Sequence, residues 1–523
     1  MMRRWVVVVG VLGVLGLLLG ACGDDDVSGG PSATPTSEQV STPTAEPESE
    51  PTSEPSPDPT PEPTPEPTPD DGVEPVTVIG PLADGGAPTN TAPQDLDAIG
   101  YVEEEFLVEG DAPSYRLVGE RTADGAWEAE QDDTAPFRTR ILVRRPIDPA
   151  AFSGVVLVEW LNVSSGSDGD PDWSYLNGEI TREGHVWVGV SVQAVGAVGG
   201  EPAVPGAEAT GGLVVQNPER YGTVEHPGDR YSWGIYTLAA RALLTPDGPD
   251  PLGGLVPEQV LAVGESQSAF FLTTYINAVH PLVGMFDGFL VHSRGGAAPT
   301  LSGQRDDDTP VQIRTDLDEP VLMFLTESDL TILGYANARQ GDTDTVRTWE
   351  VAGTAHADAG LLGQVLQQPS DPSLGSLLGC ETPINDGPQR EVLQAALHHL
   401  VAWVAEGTPP PSSPRLELAD ADTAVIDRDE LGNALGGIRT PPVDVPVAAL
   451  SGDAAGDSAT FCFLFGSTET FDADTLADLY DSEADYLAEF EASAADAVDA
   501  GFLLQPDADE LVDRATERGL PAA

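Results

Sequence analysis

Gly264-Glu265-Ser266-Gln267-Ser268 is the segment whose residue types and spacing bear most directly on chemistry. The apolar run Val260-Leu261-Ala262-Val263 precedes it, and a helical pattern through Phe270, Phe271, Thr274, Tyr275 and Val279 follows. Strand, sharp turn and helix make the setting in which a G-x-S-x-G-like pattern lifts a serine hydroxyl above a sheet edge. The turn strains the serine backbone, so its neighbours must be small. Ser268 stands where the pattern has its last glycine, and it is small enough to keep the turn.

A serine hydroxyl needs a base to take its proton and a third group to orient that base. In a strand–turn–helix architecture the chain order is serine, acid, histidine. The run Pro320-Val321-Leu322-Met323-Phe324-Leu325 reads as a strand, and Thr326-Glu327-Ser328-Asp329 places two carboxylates just beyond it. Asp329 and Glu327 are both candidates for the acid; counting from the strand end favours Asp329, with Glu327, two residues earlier and longer, as the alternative. After the next strand comes Ala352-Gly353-Thr354-Ala355-His356, which makes His356 the expected base among seven histidines. His292, after the strand at 286–291, is the second candidate and is otherwise expected to line the pocket. The oxyanion of a tetrahedral intermediate needs preformed donors. The backbone N–H of Gln267 is the first expected donor. The second falls in Leu161-Asn162-Val163, with Asn162 taken as its position.

The elements that must hold these residues alternate. Strand-like runs at 100–107, 138–143 and 154–160 lead into a helix opening at Asp172-Trp173, with Trp173, Leu176 and Ile180 on one face. His185-Val186-Trp187-Val188-Gly189-Val190-Ser191 is the next strand, closing a βαβ unit whose crossover implies parallel pairing. Residues 192–229 show no strong periodicity and are too many for an ordinary connection, so they read as a lid, pocket wall or surface insertion. A helix at 230–244, strands at 286–291, 320–325 and 346–351, and a helix at 389–405 follow. An acidic helical tail is expected at 476–500. Asp168-Gly169-Asp170-Pro171-Asp172 lacks the glutamate that would complete a calcium loop, so Asp170 or Asp172 is expected to cap the following helix. The glycines between 432 and 437 lack a phosphate-loop lysine and read as a mobile loop.

Outside this region the sequence is simpler. Residues 1–21 read as a lipoprotein signal peptide, with Arg3-Arg4, an apolar run, and Leu19-Gly20-Ala21-Cys22 as the processing site. Cys22 is then the lipidated first residue, anchored to the outer face of a bacterial-type cell membrane. Residues 22–75, rich in Pro, Thr and Glu, are expected to be a disordered extended tether. Residues 76–523 carry the fold. The formal charge is −64, from 87 acidic and 23 basic residues, and this excludes nucleic acid and anionic membrane surfaces as partners. Once Cys22 is assigned to lipid, Cys380 and Cys462 remain, and an exported chain favours their pairing as a disulfide. No Cys/His cluster has zinc-like spacing, and the chemistry calls for no cofactor or metal.

With these residues in view, the chain resembles the α/β-hydrolase superfamily, and is similar in particular to exported bacterial "alpha/beta hydrolase domain" proteins. The likeness runs through Glu159-Trp160-Leu161-Asn162-Val163, Pro218-Glu219-Arg220-Tyr221-Gly222, His226-Pro227-Gly228-Asp229, the segment around Ser266, Thr326-Glu327-Ser328-Asp329, Gly353-Thr354-Ala355-His356 and Gly436-Gly437-Ile438-Arg439-Thr440-Pro441. It implies a three-layer α/β fold with a mostly parallel eight-stranded sheet, insertions after the fourth strand and a C-terminal extension. It also implies Ser-His-acid chemistry on Ser266, His356 and Asp329 or Glu327. The expected activity is that of a cell-surface serine hydrolase acting on carboxylic esters. The alternatives are a non-catalytic binding lipoprotein on the same fold, or a serine peptidase or acyltransferase using the same residues. The sequence leaves substrate identity and oligomeric state open.

Overall fold

The computed structural model describes residues 76–200, 211–305, 307–420, 424–454 and 461–520. The signal peptide, Cys22 and the Pro-rich segment lie outside the described residues. Nine strands form the main sheet: β1 (Thr77–Ile79), β2 (Tyr101–Leu117), β3 (Ala129–Pro146), β4 (Val155–Trp160), β5 (Val186–Val190), β6 (Gln259–Glu265), β7 (Gly288–His292), β8 (Val321–Leu325) and β9 (Val346–Glu350). Their order is β1-β2-β3-β5-β4-β6-β7-β8-β9. The first three pair antiparallel, and the run from β5 to β9 is parallel. The expected eight strands become nine because Val76 and Val78 are buried, drawing a three-residue strand onto the edge of β2.

Period-two alternation explains the layering. Along β4, Val156, Val158 and Trp160 enter one core, while Val155 and Leu157 enter the other. Along β6, Val260 and Ala262 face the first core, and Leu261 and Val263 the second. Both faces of the parallel strands are therefore apolar, and helices cover both. Helix Ser232–Leu244 lies in the first core; Pro171–Glu183 and Gln389–Glu406 lie in the second. Each fully buried Val or Leu contributes roughly 1.5–3 kcal/mol before entropy is subtracted. Helices Glu483–Asp499 and Gln505–Arg518 extend the second core through Tyr486, Phe490 and Leu511. No helix among the described residues is long and apolar enough to cross a membrane.

Two expectations are corrected here. Neither Asp170 nor Asp172 caps helix Pro171–Glu183 with its side chain. Asp170 pairs with Arg144 at 2.6 Å, and the first helical N–H groups, on Asp172 and Trp173, donate instead to Glu159 of β4. The glycine-rich stretch is tied to the sheet edge rather than left loose: Ile438 N donates to Glu350 O at 2.7 Å, and Ala352 N to Ile438 O at 3.0 Å. Residues 192–229, after β5, include short helices Ala194–Val198, Gly212–Gln216 and Pro218–Tyr221.

Candidate active site

Because β4 through β9 run parallel, their carboxyl ends share one rim, and the candidate residues follow several of those ends. At the end of β6, Ser266 has φ 57° and ψ −118°, a conformation that costs a non-glycine residue about 1–3 kcal/mol. Its neighbours hold it there: Ser266 N donates to His292 O at 3.0 Å, and helix Gln267–Thr274 begins at the next residue. The turn is tight. A Cβ on Gly264 would come within 3.2 Å of the backbone carbon and the Cβ of Ser268, so a side chain at 264 would have to push the start of the helix aside, and position 268 favours a small residue.

His356 sits on the loop after β9. Its Nε2 is 2.8 Å from Ser266 Oγ, and its Nδ1 is 2.7 Å from Asp329 Oδ1. Asp329 opens helix Glu327–Thr331, and its second oxygen accepts the Thr326 N–H at 2.7 Å, so the carboxylate cannot rotate away from the imidazole. The histidine loop turns at Gly353, with φ 72°, where a Cβ would meet Val443 at 2.5 Å. Ser266 and His356 are each 4% exposed, so the pair works in a water-poor setting.

Glu327 takes a different place. Its carboxylate accepts Gly353 N at 2.6 Å and Gly452 N at 3.1 Å, and pairs with Arg428 at 2.8 Å. It brackets the acid loop to the histidine loop and does not reach the imidazole. As candidate acid it is thus corrected, because all of its bonds point away from Nδ1.

Asn162 is also corrected as an oxyanion donor. Its N–H is bonded to Gly169 O at 2.9 Å, and its side-chain amide is shared between Glu265 O and Glu265 Oε2, each at 3.2 Å. Leu161 N donates to Val190 O at 3.2 Å. Val163 N donates at 3.2 Å to the side-chain Oε1 of Gln267, an acceptor that can rotate away where a backbone carbonyl cannot. The Gln267 amide nitrogen in turn bonds Gln193 Oε1, which also receives Trp160 Nε1–H at 3.1 Å. Gln267 N, as the first helical N–H, has no carbonyl within its own helix to bond.

Glu265 is the residue the sequence reading passed over. Its Oε1 lies 3.4 Å from His356 Nε2, making it a second carboxyl beside the imidazole. Burial, then the charges of Asp172 and Asp329, hold it well above the usual carboxylate range, against the pull of the Asn162 amide. Its position next to Ser266 was visible; only the fold shows that it faces the base. His292 is fully buried behind the site, bonded to Asp172 at 2.9 Å and Gln389 at 3.1 Å, and lines no opening. Cys380 and Cys462 form a disulfide. Among the described residues, no group of three or more His, Cys, Asp or Glu is arranged to hold a metal ion.

A doubly covered sheet, a serine on a strained strand-to-helix turn, and a histidine between that serine and a carboxylate define an α/β hydrolase. Residues 74–513 match the family described as "Alpha/beta hydrolase domain", and the chain belongs to it. Among solved structures, it is similar to esterases from the fungus Rhizomucor miehei, at 13% identity over 58% of this chain and 85% of the other, with a TM-score of 0.29. It is similar to an α/β serine hydrolase without lid from Xanthomonas campestris, at 10% identity over 46% and 88%, TM-score 0.25. A glucuronoyl esterase from Solibacter usitatus matches at 10% identity over 53% and 83%, TM-score 0.26. No curated protein is significantly similar in sequence.

Proposed function

We propose that this protein is a serine hydrolase that cleaves carboxylic esters through an acyl-enzyme. The observation that carries the reading is the unbroken line from Asp329 Oδ1 through His356 to Ser266 Oγ, with contacts of 2.7 and 2.8 Å. Ser266 Oγ attacks the ester carbonyl carbon as its proton passes to His356 Nε2, and Asp329 holds the imidazolium without taking the proton. The oxyanion is received by Gln267 N–H and by Val163 N–H once the Gln267 side chain gives way. Collapse breaks the C–O bond, and the leaving alkoxide takes the proton from Nε2. Water, deprotonated by His356, then attacks the acyl-enzyme; as the C–Oγ bond breaks, the proton on Nε2 returns to Ser266 Oγ and the acid is released.

Labelling with a fluorophosphonate probe tests the reading: the chain should label, and Ser266→Ala should not. A series of p-nitrophenyl acyl esters should be turned over, with Ser266→Ala lowering kcat by about 10⁴ or more. Absence of labelling in the native chain would leave a binding protein on a hydrolase fold.

We further propose export and lipidation at Cys22. The Leu19-Gly20-Ala21-Cys22 run supports it, as does a disulfide suited to an oxidising compartment. Metabolic labelling with a fatty-acid analogue should mark the native chain and not Cys22→Ala; equal labelling would end the proposal.

A further inference from the structure

Glu265, the last residue of β6, is buried between the base and the loop that follows β4. Its two oxygens are not equivalent, and Asn162 distinguishes them. Ser164 N–H donates to Asn162 Oδ1 at 2.9 Å, so the other end of that amide is the donor. It donates to Glu265 Oε2 at 3.2 Å, which makes Oε2 an acceptor. A proton held by the carboxyl therefore sits on Oε1, the oxygen 3.4 Å from His356 Nε2.

The surroundings favour keeping that proton. Asp172 and Tyr175 on helix Pro171–Glu183, and Asp329 on helix Glu327–Thr331, interact with Glu265 electrostatically. His292, at the end of β7, is tied to Asp172 at 2.9 Å. His356 is the only basic side chain paired with Glu265 among the described residues. The stretches between 76 and 523 that lie outside the described residues contain no Arg, Lys or His. A buried carboxylate with acidic neighbours and one amide donor is costly, so the group stays protonated instead. Its pKa is accordingly raised, by burial first and then by Asp172 and Asp329. The contact length agrees. A charged N–H to carboxylate bond closes to about 2.7–2.9 Å. Here Nε2 stands 3.4 Å from Oε1, while Ser266 Oγ holds it at 2.8 Å.

We propose that Glu265 is a positioning residue that attends His356 as an uncharged acid, and that losing the Oε1 proton stops the enzyme from expelling alkoxide leaving groups. The inference rests on the hydrolase reading and adds an alkaline limit that depends on the leaving group. While Glu265 is an acid, the departing alkoxide is the acceptor for the imidazolium Nε2–H. Once solvent hydroxide takes the Oε1 proton, the carboxylate draws that N–H to itself. The tetrahedral intermediate then returns to ester, because an alkyl alkoxide is too basic to leave without a proton. A p-nitrophenolate leaves without one.

The test is the pH dependence of kcat/KM, which reports the free enzyme. The full chain is assayed between about pH 6 and 10 on ethyl butyrate and on p-nitrophenyl butyrate, with Ser266→Ala as the blank. On the alkaline side the ethyl ester should lose about tenfold for each pH unit, and the p-nitrophenyl ester should not. In Glu265→Gln the carboxamide offers Asn162 an acceptor and His356 an N–H, and it cannot ionise. The ethyl-ester fall should disappear there, whatever the absolute rate. A fall that persists in Glu265→Gln, equal falls for the two esters, no fall in the native chain, or no cleavage of the ethyl ester at any pH would overturn the proposal. Should Glu265→Gln fail to fold, the two esters on the native chain still decide. Any of these overturning results in a chain that labels with fluorophosphonate removes this inference alone, whereas absence of labelling removes the hydrolase reading.

Discussion

Two carboxylates two residues apart, Glu327 and Asp329, have separable roles at the residue scale. Asp329→Asn should keep the fold but lower kcat by about 10⁴, because an amide facing Nδ1 favours the wrong imidazole tautomer. Glu327→Gln should do the reverse. It removes the charged acceptor shared by Arg428 and two backbone N–H groups, at a cost of about 2–3 kcal/mol, and leaves the Asp329–His356 contact in place. Measuring kcat and urea stability on both variants distinguishes the roles; a loss of kcat in Glu327→Gln as large as that in Asp329→Asn would merge them. A third carboxyl, Asp358, supplies a pH test. Burial first, then Asp386 and Glu391, push it from 3.8 up to about 7, against the Leu361 N–H and Tyr175 hydroxyl bonds. The fold therefore holds this proton more tightly than the unfolded chain does. Its contribution to stability is full below about pH 4 and is lost as pH rises through about 7. Asp358→Asn should gain on the native chain over that window, by something on the order of 2 kcal/mol, as read by urea unfolding at pH 4.5 and 7.5.

At the scale of elements, the loops that carry the site are braced by the segment after helix Gln389–Glu406. Ala357 N donates to Leu464 O at 3.0 Å and Asn385 N to Phe465 O at 2.8 Å, close to the disulfide between Cys380 and Cys462. That bond closes a loop of 82 residues, for which chain entropy gives about 4 kcal/mol. Reduction, or Cys380→Ser with Cys462→Ser, should lower Tm by several degrees and slow turnover as the histidine loop loosens. An unchanged Tm would show that the bracing is carried by hydrogen bonds alone. This bracing also marks the limit of what was legible. The strands of the parallel run could be read because each is a short apolar run with both faces buried. Chain order and turn glycines then led to Ser266, His356 and the acid pair. Distance from the strand end points to Asp329 as the acid, but the work of Glu327 has no local signal, since it depends on Gly353, Gly452 and Arg428 converging on it from three distant segments. The oxyanion loop misled for a similar reason: Asn162 looks suitably polar, but Gly169 and Glu265 occupy its donors. Glu159 capping a helix from a neighbouring strand is likewise a tertiary event with no local signal.

For the whole molecule, charge is the dominant quantity. The formal charge of −64 leaves many surface carboxylates without a cation, whereas Arg140 is buried together with both of its acids, Glu105 and Asp168. Salt acts on these two populations unequally. The Debye length falls from about 30 Å at 0.01 M to about 3 Å at 1 M, so repulsion among exposed carboxylates is screened almost completely. Pairs enclosed by protein are screened far less. Net stability should therefore rise with ionic strength, and Tm should climb by several degrees between roughly 0.01 and 1 M chloride salt. Sodium, potassium and tetramethylammonium chlorides should act alike if screening is the cause; a rise confined to sodium would point to a bound ion. A fall in Tm would mean that ion pairs at the surface, such as Arg116 with Glu130, outweigh the repulsion around them. That outcome is disfavoured because such exposed pairs contribute at most about 1 kcal/mol each, while the acidic residues outnumber the arginines 87 to 23.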